Sequence, residues 1–263
     1  MNNEKLVYAA VGEKNSFANL WILDLESGAR QPLTANTQFH SDFASVSADG
    51  KFVYFNSNRN RLVNVWRIDA SGENLTQITD AAAADGLQLF PQLAPDAKFI
   101  YYIFRSRDSA VIKRRNSLEN KEEIFLENKE ISPAAFLSLS ADGKRLAFLN
   151  LKGEIETDDE GSNFQFAVVS AENAADIRFF NVKTGASIAR LSTDGKFFDY
   201  ISFSEGCTKI LRQSVDGAAA EAREILNLPQ ERIFNFAWSK DGTKLAVSRG
   251  RRLRDAVLLT DFD

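Results

Sequence analysis

Cysteine is almost absent from this chain of 263 residues. Cys207 stands alone, which excludes an internal disulfide and a cysteine zinc site. A cysteine-poor chain survives in either redox environment, so this scarcity does not set the compartment. Histidine is as rare, with His40 the single copy. No apolar run approaches the roughly 18 residues of a membrane span, and no charged-then-apolar signal pattern stands at the start. The chain reads as a soluble piece without membrane insertion of its own, compatible with a longer, membrane-attached parent. Basic charge is not in excess: a net charge of −4 and a pI near 5.3 give no bulk electrostatic reason to bind nucleic acid or an anionic membrane. Phenylalanine is plentiful, 21 against 5 Tyr and 3 Trp, a balance suited to packed, half-buried sheets. With 44% hydrophobic residues a sizeable core can be buried.

One phrase recurs five times: SADGKFVYF from Ser47, APDAKFIYY from Ala94, SADGKRLAF from Ser140, STDGKFFDY from Ser192 and SKDGTKLAV from Ser239. The aspartates Asp49, Asp96, Asp142, Asp194 and Asp241 are spaced by 47, 46, 52 and 47 residues. A period in this range is the signature of a repeat architecture. Each phrase reads as a hairpin, because Asp-Gly between apolar runs supplies the positive φ that joins antiparallel strands. An alternating strand follows each turn, then a third such as "NVWRIDASG" and a fourth such as "LTQIT". Four strands in about 45 residues, repeated, predict one propeller blade per repeat. A solenoid of strand–helix units is disfavoured, since no 3.6-period segment of ten or more residues stands out; "AAAEAREIL" is the nearest.

The phrase Ser-x-Asp-Gly-Lys with its apolar strand, "SNR", "NVWRID" and "QIT" resembles the TolB-type (PD40, WD40-like) propeller repeat over nearly the whole chain. The end of the chain, "TKILRQSVDG", "RIFNFAWSKDGTKLAVSRG" and "DAVLLTDF", looks like bacterial sensor propellers fused behind Ser/Thr protein kinase domains or winged-helix regulators. Departures from the family phrase fall at Ala97, where glycine is expected, and at Ala48, Ala141 and Lys240, where proline is common.

The expected fold is therefore all-β: a six-bladed propeller of four-stranded antiparallel blades in one domain over residues 1–263. The blades are placed at about 5–34, 42–80, 88–127, 134–183, 187–229 and 233–263, with the first lacking its innermost strand and the last its outer one. An N-terminal strand often completes the last blade of a propeller and removes the open edge. The chain is thus expected to be a fragment that lacks roughly 15–25 upstream residues, at ordinary strand and turn lengths. A ring held by core packing alone, or five blades with disordered ends, is the alternative. The fourth blade carries extra length in "KGEIETDDEGSNF".

Catalytic signatures are missing. There is no Gly-x-Ser-x-Gly nucleophile elbow, and nothing near His40 in "TANTQFHSDF" supplies a triad. No phosphate-cradling glycine motif occurs. Asp158, Asp159 and Glu160 in "TDDEGSN" lack the alternating spacing and distal Glu of an EF-hand, so neither metal nor cofactor is expected. The segments joining second to third strands carry arginines: Arg59 and Arg61, Arg105 and Arg107, then Arg249, Arg251, Arg252 and Arg254. In a propeller these loops share one face and can hold carboxylates or phosphates bidentately, or tie blade to blade. With His40 they form the candidate ligand or partner site. The turn aspartates Asp49, Asp96, Asp142, Asp194 and Asp241 read as structural, and Trp21, Trp66 and Trp238 as packing. "RRNS", ending at Ser117, matches a basic-then-serine kinase pattern.

The functional expectation is a non-catalytic sensor or scaffold propeller. It would bind a protein or a small anionic ligand on its loop face or at the channel mouth, and not nucleic acid. The resemblance implies the sensor domain of a bacterial signalling protein, extracytoplasmic behind a membrane-anchored parent, or otherwise cytoplasmic. Alternatives are a free-standing periplasmic TolB-like scaffold and the gating propeller of a prolyl-oligopeptidase-type hydrolase. Fold alone does not choose among them.

Overall fold

The computed structural model describes residues 4–12, 16–35, 38–80, 86–128, 131–151, 164–181, 187–204, 207–216 and 222–250, and among these it contains strands and turns without helix. The first sheet has three strands, β1 (Lys5–Val11), β2 (Ala18–Asp24) and β3 (Arg30–Pro32). The second comprises β4 (Ser41–Val46), β5 (Phe52–Asn60), β6 (Leu62–Asp69) and β7 (Thr76–Gln77). The third comprises β8 (Leu87–Leu93), β9 (Phe99–Arg105), β10 (Ala110–Asn116) and β11 (Glu122–Leu126). In the fourth are β12 (Pro133–Leu139), β13 (Arg145–Leu151), β14 (Phe164–Ser170) and β15 (Ile177–Asn181). The fifth holds β16 (Ser187–Leu191), β17 (Phe197–Ser204), β18 (Cys207–Ser214) and β19 (Arg223–Leu228). The sixth pairs β20 (Arg232–Trp238) with β21 (Leu245–Gly250).

All the pairings are antiparallel meanders, and the chain is an all-β propeller. The expectation of six four-stranded blades is met in part. Four sheets have the four strands, the first has three, and two are described in the last. The expected third strand of the last blade and the long loop of the fourth, with Asp158, Asp159 and Glu160, lie outside the described residues.

The hydrophobic core is divided into five clusters, one between each pair of successive sheets. Leu20, Ile22 and Leu33 of the first sheet meet Val53, Phe55, Trp66 and Ile68 of the second. Tyr54 and Val65 meet Ile100 and Tyr102 across the next junction. Further clusters join the third sheet to the fourth, the fourth to the fifth, and the fifth to the sixth. Burial of aromatic and branched side chains at about 25 cal/mol per Å² drives each junction.

The first sheet starts one position further out than its neighbours, as a repeated polar device shows. In the second sheet, the Val65 N–H donates to Thr79 Oγ1 at 2.9 Å, and that hydroxyl donates to Asn64 Oδ1 at 3.4 Å. The first sheet has the same arrangement with Leu20, Thr34 and Asn19, at 3.0 and 3.1 Å. β2 therefore corresponds to the third strand β6, and β1 to the second strand β5. β1 and β2 also pack on β4 as β5 and β6 pack on β8.

A candidate binding mouth at the turn face of the channel

The recurring turn is built alike in four blades. The Ser47 hydroxyl donates to Asp49 Oδ1 at 2.7 Å and accepts the Phe52 N–H at 2.9 Å, while the Lys51 N–H donates to Asp49 Oδ1 at 3.1 Å. Ser140 with Asp142, Ser192 with Asp194 and Ser239 with Asp241 repeat the hydroxyl–carboxylate bond at 2.6 Å each. In the third blade Ala94 replaces the serine, and Asp96 accepts only the Lys98 N–H at 2.9 Å. These donors hold the carboxyls of Asp49 and Asp194 below the usual range, chiefly through the serine hydroxyls, and that of Asp241 at about 2. Asp142 is also lowered by Ser140 and the Lys144 N–H, although its partial burial acts in the opposite direction.

Behind each turn the inner strand is bulged, and β12 is bulged twice. The register slips at Phe43, Phe90, Phe136, Ile188 and Phe234. Four of these five have positive φ: 48°, 57°, 57° and 32° for Phe43, Phe90, Phe136 and Ile188. Such values are uncommon for aromatic residues and an outlier for a β-branched one. A bulge re-aims a side chain, and here it sends rings toward the axis. Phe43 and Phe90 lie 4.4 Å apart between centroids, Phe90 and Phe136 5.4 Å, and Phe43 and Phe136 6.4 Å. Phe43 and Phe136 come from non-adjacent sheets, and Phe90 between them belongs to the core of the third and fourth sheets. The three rings form one cluster spanning three successive inner strands.

On the turn side of this cluster lies a cavity of about 380 Å³. The residues after the bulges line it, including Ala44 to Val46, Gln92, Leu93 and Leu139, with Ala237 and Trp238 of the last sheet and Lys5, Leu6 and Val7 of the first. Among the described lining residues three are lysines, Lys5, Lys240 and Lys244, and none is an aspartate or glutamate. The Lys240 ammonium donates to the carbonyl of Ala48, joining the turn of the sixth sheet to the turn of the second. Trp238 is fixed from behind: its Nε1–H donates at 2.6 Å to Asp199 Oδ2. Asp199 is fully buried and also accepts from Arg212 Nε and Nη2 at 2.7 and 2.8 Å. A cationic pocket with apolar walls suits a carboxylate- or phosphate-bearing group attached to an apolar body.

The described arginine candidates lie at the opposite ends of the strands and have different partners. Arg105 turns inward and donates through Nη2 to the carbonyls of Ala134 and Pro133 in the next blade, the latter at 3.3 Å. Burial lowers its pKa. Arg59 reaches Ser41 Oγ at 3.5 Å and stacks on Trp66 at 5.8 Å. Arg249 pairs with Glu231 at 3.0 Å. Arg61, at φ 73°, and Arg107 are exposed at hairpin tips. Arg251, Arg252 and Arg254 lie outside the described residues. His40 is exposed; its Nδ1 accepts the Ala18 N–H at 3.3 Å, and its ring packs edgewise on Phe17. Beside it, burial pushes the Asp42 carboxyl up to about 6, against the opposing charge of His40.

The kinase-pattern serine needs correction. Ser117 Oγ is buried and carries no hydrogen bond, and Arg114 of that pattern pairs with Glu123 at 2.6 Å while stacking on Phe99. Sequence reasoning named the channel mouth but missed its lysines and the aromatic cluster beside it. Phenylalanine six residues before the turn aspartate in three consecutive repeats was the available signal.

Comparison with known proteins gives the fold and little more. No family model matches the chain. A curated relative, the uncharacterized protein Atu1656 of Agrobacterium fabrum, is 27% identical over 114 residues, covering 43% of this chain and 37% of that protein. TolB from Acinetobacter baumannii superposes with a TM-score of 0.66 at 19% identity, over 84% of this chain and 53% of that one. Kuenenia stuttgartiensis hydrazine synthase gives a TM-score of 0.69 at 13% identity, over 95% of this chain and 42% of that one. Proteins of such different names share the architecture, as expected of a fold that hosts unrelated sites. What the turns, the meandering sheets and these superpositions establish together is a TolB-like β-propeller fold.

Proposed function

We propose that this chain is a non-catalytic binding propeller that captures an acidic partner, a polypeptide carboxylate foremost, at the turn-face mouth of its channel. One observation carries the reading: a cavity of about 380 Å³ lined, among the described residues, by three lysines and no carboxylate. The apolar strand ends supply the contact area and the lysines supply orientation and encounter rate, the usual division of labour at such sites. We further infer that the six sheets close as a six-bladed ring, which the Lys240–Ala48 contact and the shared lining of the cavity by the first and last sheets support. In the signalling arrangement implied by the sequence resemblance, the propeller is the sensor and its occupancy is passed to a partner domain.

The test uses a hexaglutamate peptide and backbone amide shifts. The reading expects perturbation at Lys5, Lys240 and Lys244 that weakens as salt rises, through screening, and is abolished by the triple change of these lysines to glutamate. Perturbation confined to Arg61 and Arg107, or none up to millimolar peptide, overturns it.

A further inference from the structure

We propose that the channel-side edge of β1 is a strand-addition site. An extended acidic segment of another polypeptide enters the mouth, pairs antiparallel with β1 and serves as the innermost strand of the first blade. The inference rests on the reading of the mouth as a binding site and specifies the form its partner takes.

The ladder supplies the first reason. The Leu25 N–H donates to the Glu4 carbonyl, and hydrogen-bonded pairs alternate along antiparallel strands. The pairs Lys5–Asp24, Val7–Ile22 and Ala9–Leu20 are consequently the non-bonded ones. The N–H and C=O groups of Lys5, Val7 and Ala9 point away from β2, toward the channel. Among the described residues β1 pairs with β2 alone.

Burial supplies the second. β5, β9 and β13 occupy the position of β1 in their own blades, and each has at least four buried residues. None of the seven residues of β1 is buried, and Val11 is 57% exposed. Exposed backbone of this kind is a ready template for strand pairing. The cavity lies against this edge, since Lys5, Leu6 and Val7 line it.

Charge selects the partner and its direction. A strand antiparallel to β1 runs toward the turn face and ends beside Lys5, Lys240 and Lys244. A carboxylate at or near its C-terminal end meets these ammonium groups, and Lys240 exchanges the Ala48 carbonyl for it.

The probe is the peptide SDFASVSAD, residues 41–49 of this chain. It has the sequence that already lies antiparallel on β5 and carries Asp42 and Asp49. Binding is followed by fluorescence anisotropy, and hydrogen exchange is read at the amides of Val7 and Ala9. The expected result is saturable binding that slows exchange at both amides and weakens with salt. Removing one ladder bond with Val7→Pro should weaken it about three- to tenfold. This change spares the β1–β2 ladder, and proline is tolerated on the open side of an edge strand. Should that variant fail to fold, the same peptide N-methylated on its pairing edge tests the point on the wild-type protein and is expected to lose at least as much affinity.

Unchanged exchange at Val7 and Ala9 under saturating peptide overturns the proposal, as does undiminished affinity of the N-methylated peptide. Protection of both amides in the peptide-free monomer assigns the edge to this chain itself. Protection that appears only with dimerisation assigns it to a second copy. Either result overturns the partner-strand proposal. The outcomes for the two readings separate cleanly. Hexaglutamate shifts at the three lysines without edge protection keep the binding mouth and remove strand addition. The absence of both removes the mouth as well.

Discussion

At the scale of single residues, the turn of the third blade is the exception that shows what the other turns need. Gly50, Gly143, Gly195 and Gly242 hold φ between 66° and 74°, and Ala97 holds 58° at the same position. An L-residue there brings its Cβ against the neighbouring carbonyl, and glycine removes that strain at some cost in unfolded-state entropy. Ala97→Gly should therefore stabilise the protein by about 0.5–1 kcal/mol, read as a higher denaturant midpoint with an unchanged slope. The turns were legible in the sequence because their chemistry is local: serine, aspartate and glycine act within five residues of one another. Asp199 was not legible. Its partners Arg212 and Trp238 stand on two other strands, and no short-range pattern announces such a pairing.

Among elements, the junction between successive blades decides what an arginine does. From the sequence, Arg105 and Arg107 were equivalent members of one loop. The end of the strand separates them: Arg105, the last residue of β9, bonds the carbonyls of β12, while Arg107 stands exposed at the hairpin tip. Arg105→Ala leaves acceptors of the neighbouring blade without their donor and should cost about 1–3 kcal/mol in chemical denaturation. Arg107→Ala should stay within about 0.5 kcal/mol of wild type. Equal effects of the two changes would contradict this division. The blade boundaries were legible because period-2 strands and Asp-Gly turns mark them. The inner-strand bulges were not, because an extra residue in a strand leaves the alternation on either side intact. The residues of the mouth were hidden for a related reason: its wall is assembled from strand ends of several repeats, and its lysines come from the two ends of the chain.

For the whole molecule, the carboxylates act together on the response to pH. The carboxyls of Asp24, Asp49, Asp142, Asp194, Glu224 and Asp241 are held below their ordinary values. Their stabilisation is complete above the unfolded values and is lost as pH falls through the folded ones, Asp241 at about 2. Asp42 has the opposite sign. Its folded value of about 6 exceeds the unfolded 3.8, so the native state retains that proton and loses stability as pH rises between the two. Thermal unfolding should therefore show maximal stability near pH 4–5, falling steeply below and gently above. Asp42→Asn should remove the gentle decline and leave the acid limb unchanged. A wild-type profile flat from pH 4 to 7 would refute the assignment for Asp42.

The five inter-sheet cores give the propeller a mechanical character of its own. Apolar packing fills the five junctions between successive sheets among the described residues. In the six-bladed ring proposed above these are five of six seams, and the polar contact of Lys240 with Ala48 ties the turn of the sixth sheet to that of the second. Such a ring, welded at five seams and latched by one polar contact, would behave as a split ring. Its bore would widen by small rotations shared among the packed seams, and an occupant of the mouth would set the aperture.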